Sequence, residues 1–187
     1  MCFKNIFKPK IITASTIEEI IRAKSAGMTD AEKSAYASEI DQLVFDELLK
    51  VPVNLFPLSP EQWCGAARQQ YPNIKLIELP DMTLYTVTIG ELQKVLTRDW
   101  TNLVKYVADF FDCDKFADLL VARLEKYYRI TAVREVWGNT SGGGYHAFCL
   151  GVILDGDKFT ARLIEPQTDD IFKREGPLGI YEPEKTK

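Results

Sequence analysis

Apolar residues change their spacing near the middle of the chain. From residue 15 to 50 they recur every three or four positions. Ile17, Ile20, Ile21 and Ala23 form one run, and Tyr36, Ile40, Leu43, Val44, Leu48 and Leu49 form the next. That period predicts two helices. Ser15 or Thr16 caps the first, Gly27 ends it, and Thr29 with Glu32 makes a capping box for the second. Two prolines make 51–58 an extended connector. Ser59, Pro60 and Gln62 then mark a helix start, and the helix runs to about Gln70. Ile74–Pro80 and Leu84–Thr88 read as short strands. Thr88 and Glu91 open a helix through Leu92, Val95 and Leu96, and Trp100–Phe111 reads as another. Asp112 is placed to cap a helix beginning at Cys113, with Phe116, Leu119, Leu120, Leu124 and Tyr127 as its apolar stripe.

Beyond that helix the pattern turns strand-like. Ile130–Trp137, the run from His146 to Leu154, and Arg162–Gln167 read as strands. Gly138–Gly144 is expected to be a loop and Asp155–Lys158 a tight hairpin turn. The segment after Lys173 is charged and carries prolines, so it is expected to fray. The resulting fold class is α+β, with a helical N-terminal half packed on a small antiparallel sheet. The expected organisation is a helical extension over 1–55, an α+β domain over 56–175 and a flexible tail over 176–187.

Composition narrows the function classes. The chain has 187 residues, 46% of them hydrophobic and 27% charged, which suits one soluble domain with a core large enough for a closed site. A net charge of −4 gives no pull toward nucleic acid. No run approaches the roughly 20 apolar residues of a membrane span, and the start lacks a secretory pattern. The expected address is therefore the cytoplasm. The four cysteines, Cys2, Cys64, Cys113 and Cys149, form no C-x-x-C pair, and there is one histidine, which argues against a structural zinc site.

That one histidine organises the candidate chemistry. Any imidazole chemistry in this chain belongs to His146. A cysteine in the first turn of a helix gains from the dipole and the free N–H groups there, both of which favour the thiolate. Cys113 holds that position. With Gly156 and Asp157 as the turn centre, Phe148 falls opposite Glu165 and His146 opposite Gln167. Glu165 and Gln167 then share a face with His146, and either can orient the imidazole. Glu165 is preferred because Leu163 and Ile164 beside it suggest burial. Cys149 falls on the other face and is not the nucleophile. The run Gly142-Gly143-Gly144 reads equally as a lid or as a plain connector.

Three segments together carry a family resemblance: Phe111–Ala117, Gly144–Phe148 and Leu163–Gln167. They resemble the papain-like C-terminal domain of a fungal agglutinin and related phage and bacterial proteins of unassigned role. The resemblance implies a cysteine nucleophile, a histidine base and a glutamate third member, which fall on Cys113, His146 and Glu165. It also implies a calcium-like cation, which would involve Asp114. The agglutinin's sugar-binding trefoil has no counterpart in the sequence, so lectin activity is not carried over. The expected function is a thiol hydrolase, a cysteine peptidase or amidase acting on a peptide or amide substrate, with Gln167 as a further site candidate. Acyl transfer is a weaker variant. The alternative is a non-catalytic phage or prophage binding or assembly protein that retains the fold.

Overall fold

The computed structural model describes residues 19, 22, 26–29, 51–75, 79, 81–104, 106–107, 112–142 and 144–186. The chain divides into two compact units, Met1–Leu49 and Lys50–Lys187. The two helices expected before residue 50 lie almost wholly outside the described residues.

The second unit is built mainly of strands. A two-stranded ribbon pairs β1 (Phe56–Leu58) with β2 (Leu84–Thr86). A six-stranded antiparallel sheet holds β3 (Val133–Thr140), β4 (Gly144–Asp155), β5 (Lys158–Glu165), β6 (Asp170–Phe172), β7 (Glu175–Gly176) and β8 (Gly179–Thr186). Their spatial order is β6-β5-β4-β3-β8-β7. The sheet curls until its edge strands approach: Phe172 of β6 lies so near Gly176 of β7 that a Cβ there would meet its ring at 2.6 Å. Three helices accompany the strands among the described residues: α1 (Pro60–Gln70), α2 (Ile89–Leu96) and α3 (Cys113–Tyr128).

Local chemistry explains the elements that the pattern predicts. Ser59 and Gln62 exchange reciprocal bonds at the start of α1, as Thr88 and Glu91 do at α2. Arg129, in the left-handed region at φ 58, closes α3. The β4–β5 ladder runs from Cys149 opposite Ile164 to Asp155 opposite Lys158, the register expected from the turn. One face of the sheet carries the core, where Phe148, Leu150, Leu163 and Tyr181 meet Trp63, Ala66 and Ala67 of α1. Trp63 enters that core because its indole N–H reaches Ala132 O at 2.8 Å. The other face meets α3, with Cys149 Sγ donating to Ala117 O at 3.8 Å.

Several expectations fail here. The fold is not a helical half on a small sheet; the sheet dominates the described unit. The connector 51–58 contributes β1, because an edge strand tolerates Pro57. Trp100–Phe111 is not a continuous helix: a short 3-10 turn, Thr101–Leu103, is followed by non-helical backbone at Tyr106 and Val107. Gly138–Thr140 extends β3 rather than forming a loop. The segment after Lys173 does not fray. It forms β7 and β8, and β8 pairs along β3 across an irregularity between Trp137 and Gly138 that accommodates Pro183.

Candidate functional site

The site forms where α3 begins, beside the start of β4. Cys113 opens α3 directly after Asp112, which holds the cap position but makes no side-chain capping bond. Its carboxyl instead hydrogen bonds Asp114, which raises the Asp112 pKa and lowers that of Asp114. Lys115 Nζ lies 2.8 Å from Asp114 Oδ2 and holds that carboxylate further down.

The half-buried Cys113 thiol hydrogen bonds the His146 ring, and that contact lowers its pKa below the usual 9.0. Burial opposes the shift. The Ala147 backbone N–H and the His146 charge reinforce it, and the Asp112 charge works weakly against it. His146, 7% exposed, places Nε2 at 2.8 Å from Glu165 Oε2. With Nε2 so committed, Nδ1 is the nitrogen left for the thiol. Burial alone would lower the histidine pKa. The hydrogen bonds to Cys113 and Glu165 and their charges outweigh it and raise the value to about 9. Thiol and imidazole therefore favour the thiolate–imidazolium form, each charge stabilising the other.

Glu165 is 2% exposed at the end of β5. Its Oε2 accepts from His146 and also from the Tyr181 hydroxyl at 2.9 Å. Its Oε1 receives the Gln167 backbone N–H at 3.4 Å. The structure thus brings Cys113, His146 and Glu165 together, whereas Gln167 contributes its main chain to the carboxylate and Glu165 holds the ring.

Tyr181 is the member that sequence reasoning missed. It lies on β8, within the segment expected to fray, although Ile180 and Tyr181 beside Gly179 are a visible apolar signal. Gly138 was missed for a similar reason. It faces His146 across the β3–β4 ladder, and a Cβ there would stand 2.2 Å from Glu182 O of β8. Only glycine lets β8 come this close.

Other candidates fall elsewhere. Cys149 is fully buried under α3, and burial raises its pKa well above 9.0. At the start of the glycine run, Ser141 and Gly142 donate to Ile180 O and Leu178 O at 3.0 and 2.9 Å, and Gly144 opens β4. Trp137 is half-buried and stacks on Tyr145, ring centroids 5.7 Å apart. Trp100 lies under the Arg123 guanidinium, 4.7 Å from the ring centroid. Among the described residues no group of three or more His, Cys, Asp or Glu is placed to hold a metal ion. At the position where calcium is expected, the Asp112 and Asp114 carboxyls hydrogen bond each other and Asp114 is ion-paired to Lys115. No helix among the described residues is long and apolar enough to cross a membrane.

No protein-family model and no curated protein matches the chain. Solved structures do resemble it. The PSL1a–E64 complex superposes with a TM-score of 0.58 at 17% identity, covering 70% of this chain and 50% of that one. The Polyporus squamosus lectin bound to the human-type influenza-binding epitope Neu5Aca2-6Galb1-4GlcNAc gives 0.55 at 15% identity, covering 70% and 49%. The chain therefore spans about half the length of these neighbours, and the likeness is one of fold. It overturns the papain-like peptidase assignment: the neighbours are lectin structures with a β-rich fold, and no peptidase model matches. With it go the cysteine-peptidase or amidase function and its phage-specific alternative, neither of which these neighbours support.

Proposed function

We propose that this chain is a ligand-binding domain whose centre is a nucleophilic thiol. The single observation that carries this reading is the chain of contacts from the half-buried Cys113 through the buried His146 to Glu165. A cysteine acts as a nucleophile as the thiolate, and the group that stabilises it must be near, cationic and held in place. His146 meets the first two needs and Glu165 the third. The ligand class is a soft electrophile, such as a strained cyclic ether. The Cys113 thiolate attacks the electrophilic carbon and forms a C–S bond. The C–O bond breaks, its electron pair stays on oxygen, and the imidazolium returns its proton to that oxygen. The reaction is capture, with no peptide or amide cleavage in it.

E64, the compound complexed with PSL1a in one structural neighbour, is the probe. Incubation with E64 should add one ligand mass to the intact protein, mapped by peptide sequencing to Cys113. The adduct should be lost in Cys113→Ser and slow in His146→Ala. Absence of an adduct, with iodoacetamide labelling Cys113 no faster than Cys64, would remove the reading.

A second reading, carbohydrate binding, is favoured by the sugar epitope bound to the other neighbour and by one feature of this chain. Tyr145 is 49% exposed and stacks on Trp137, so the β3–β4 end offers a flat aromatic surface. An open groove of about 540 Å³, lined by Gln70, Tyr71, Asn73, Arg174, Glu182 and Glu184 among others, offers polar groups of the kind that orient hydroxyls. Titration calorimetry with Neu5Aca2-6Galb1-4GlcNAc tests it. Saturable heat that Tyr145→Ala weakens supports it, and no heat at millimolar sugar rejects it.

A further inference from the structure

Glu165 can hold His146 only if something holds Glu165. A glutamate at the end of a strand turns about three side-chain bonds, and its own backbone does not fix the outer oxygen. Gln167 N–H touches only Oε1, at a long 3.4 Å. The oxygen that faces the imidazole, Oε2, has one further donor among the described residues: the Tyr181 hydroxyl at 2.9 Å. That hydroxyl is itself fixed, because it accepts the Leu178 backbone N–H at 3.3 Å. The ring cannot swing away either. Tyr181 is fully buried, packed edge-on against Phe148 with centroids 5.1 Å apart and tilted against Phe172 at 4.7 Å. Its edge also meets the His146 ring, at 6.2 Å.

We infer that Tyr181 is a positioning residue for the thiol site: its hydroxyl pins Glu165 Oε2 against His146, so the C-terminal strand is a working part of the site. The functional meaning of this inference rests on the nucleophilic-thiol reading above. Its physical content does not, because it concerns the imidazole and its carboxylate. β8 is held for this task by its pairing along β3 and by the mutual bonds between Lys75 and the Glu184–Thr186 backbone, Lys75 N donating to Glu184 O at 2.7 Å and Thr186 N to Lys75 O at 3.2 Å.

The test uses the full chain. Because His146 is its only histidine, one set of imidazole resonances reports the site without assignment. The pH titration of that imidazole is followed by NMR in wild type, Tyr181→Phe, Tyr181→Leu, Glu165→Gln and the Glu165→Gln/Tyr181→Phe double variant. Tyr181→Phe keeps the ring and removes the hydroxyl. It should lower the imidazole pKa by about one unit, as the carboxylate is freed to turn away. The double variant should titrate like Glu165→Gln alone, because the hydroxyl acts through that carboxylate. Iodoacetamide labelling of Cys113 near neutral pH should slow in Tyr181→Phe as well, because a less basic imidazole favours the thiolate less.

A residue that only packs would leave Tyr181→Phe at the wild-type titration and move Tyr181→Leu alone, and that pattern overturns the inference. So does an additive double variant. An upward shift in Tyr181→Phe overturns it as well, since the hydroxyl would then be weakening the carboxylate rather than aiming it. If Cys113 proves unreactive while Tyr181→Phe still shifts the imidazole, the proposed function fails and the positioning role stands.

Discussion

Two polar clusters in this domain, one buried and one partly buried, treat a carboxylate in opposite ways. Glu165 meets donors on both oxygens: His146 and Tyr181 at Oε2 and the Gln167 N–H at Oε1. Asp169, four residues further on, meets a donor on one. Asn102 Nδ2 approaches Oδ2 at 2.6 Å, while Asp169 Oδ1 and Asn102 Oδ1 are buried without a hydrogen-bond partner among the described residues. The consequence is electrostatic. Burial, with the Asp99 and Asp170 charges, pushes the Asp169 carboxyl up to about 8, whereas the charge of Glu165 helps lift His146 to about 9. Low-dielectric surroundings cost a charged group several kcal/mol unless donors replace the lost water. Donor count, more than depth, therefore decides which cluster can run ion-pair chemistry and which stores a proton.

The comparison breaks first at His146. His146→Ala strips Oε2 of its charged donor and leaves the buried Glu165 with neutral donors, Tyr181 and the Gln167 N–H, a loss of about 3 kcal/mol in denaturant unfolding. Cys113 would also lose its imidazolium. The thiol then returns toward its usual range and its thiolate fraction at pH 6 falls, so iodoacetamide labelling there should slow by more than about 10-fold against wild type. A rate within threefold of wild type would mean that the helix start alone activates the thiol.

Gly138→Ala attacks the same cluster from the strand that delivers Tyr181. The added Cβ would stand 2.2 Å from Glu182 O, a backbone atom that moves only if β8 moves. A destabilisation of about 2–3 kcal/mol is expected from urea unfolding, together with loss of the Tyr181 contact. Unchanged stability would show that β8 is not held as closely as Gly138 permits.

Glu165→Gln tests the charge with little change of shape. Because the folded pKa of His146, about 9, lies above its unfolded 6.5, its contribution to stability is full below pH 6.5 and is lost as pH rises through about 9. Removing the carboxylate charge should bring that upper limit down by about one unit and slow Cys113 labelling at pH 8 by up to about 10-fold. Equal melting curves for the two proteins across pH 6.5–9 would refute the coupling.

These contrasts also show what local pattern can and cannot carry. Cys113, His146 and Glu165 were legible because each sits in an element with a strong local signal: a helix start, an alternating strand, and a strand whose register a tight turn fixes. The β4–β5 register followed from Gly156 and Asp157 alone. Tyr181 was hidden because β8 is held in place through pairing with β3, a long-range contact, while Pro183 and its charged neighbours argue locally against a strand. Trp100–Phe111 failed the other way. Its apolar spacing suits a helix, but Asp99 instead accepts from Thr101 N at 2.9 Å and pairs with Arg123 Nε at 2.6 Å, which favours a local turn there. The overall architecture was lost with β8, since a sheet without its last strands looks small.

The smallest expected effect lies at Asp169, and it has the opposite sign from the rest. Its folded pKa, about 8, exceeds the usual 3.8, so the folded chain holds a proton that the unfolded chain releases. Stability from this group is complete below pH 3.8 and falls as pH rises through about 8. Asp169→Asn removes the titration while keeping an amide oxygen to accept from Asn102. Asparagine also suits the backbone there, which sits at φ 63. The partial exposure of Asp169 and solvent screening reduce the gain to about 1 kcal/mol at pH 8. The variant should therefore melt a few degrees above wild type at pH 8 and converge with it near pH 4. A variant that melts lower at pH 8 would mean that Oδ1 has a partner after all, and that the two carboxylates differ in something other than their donors.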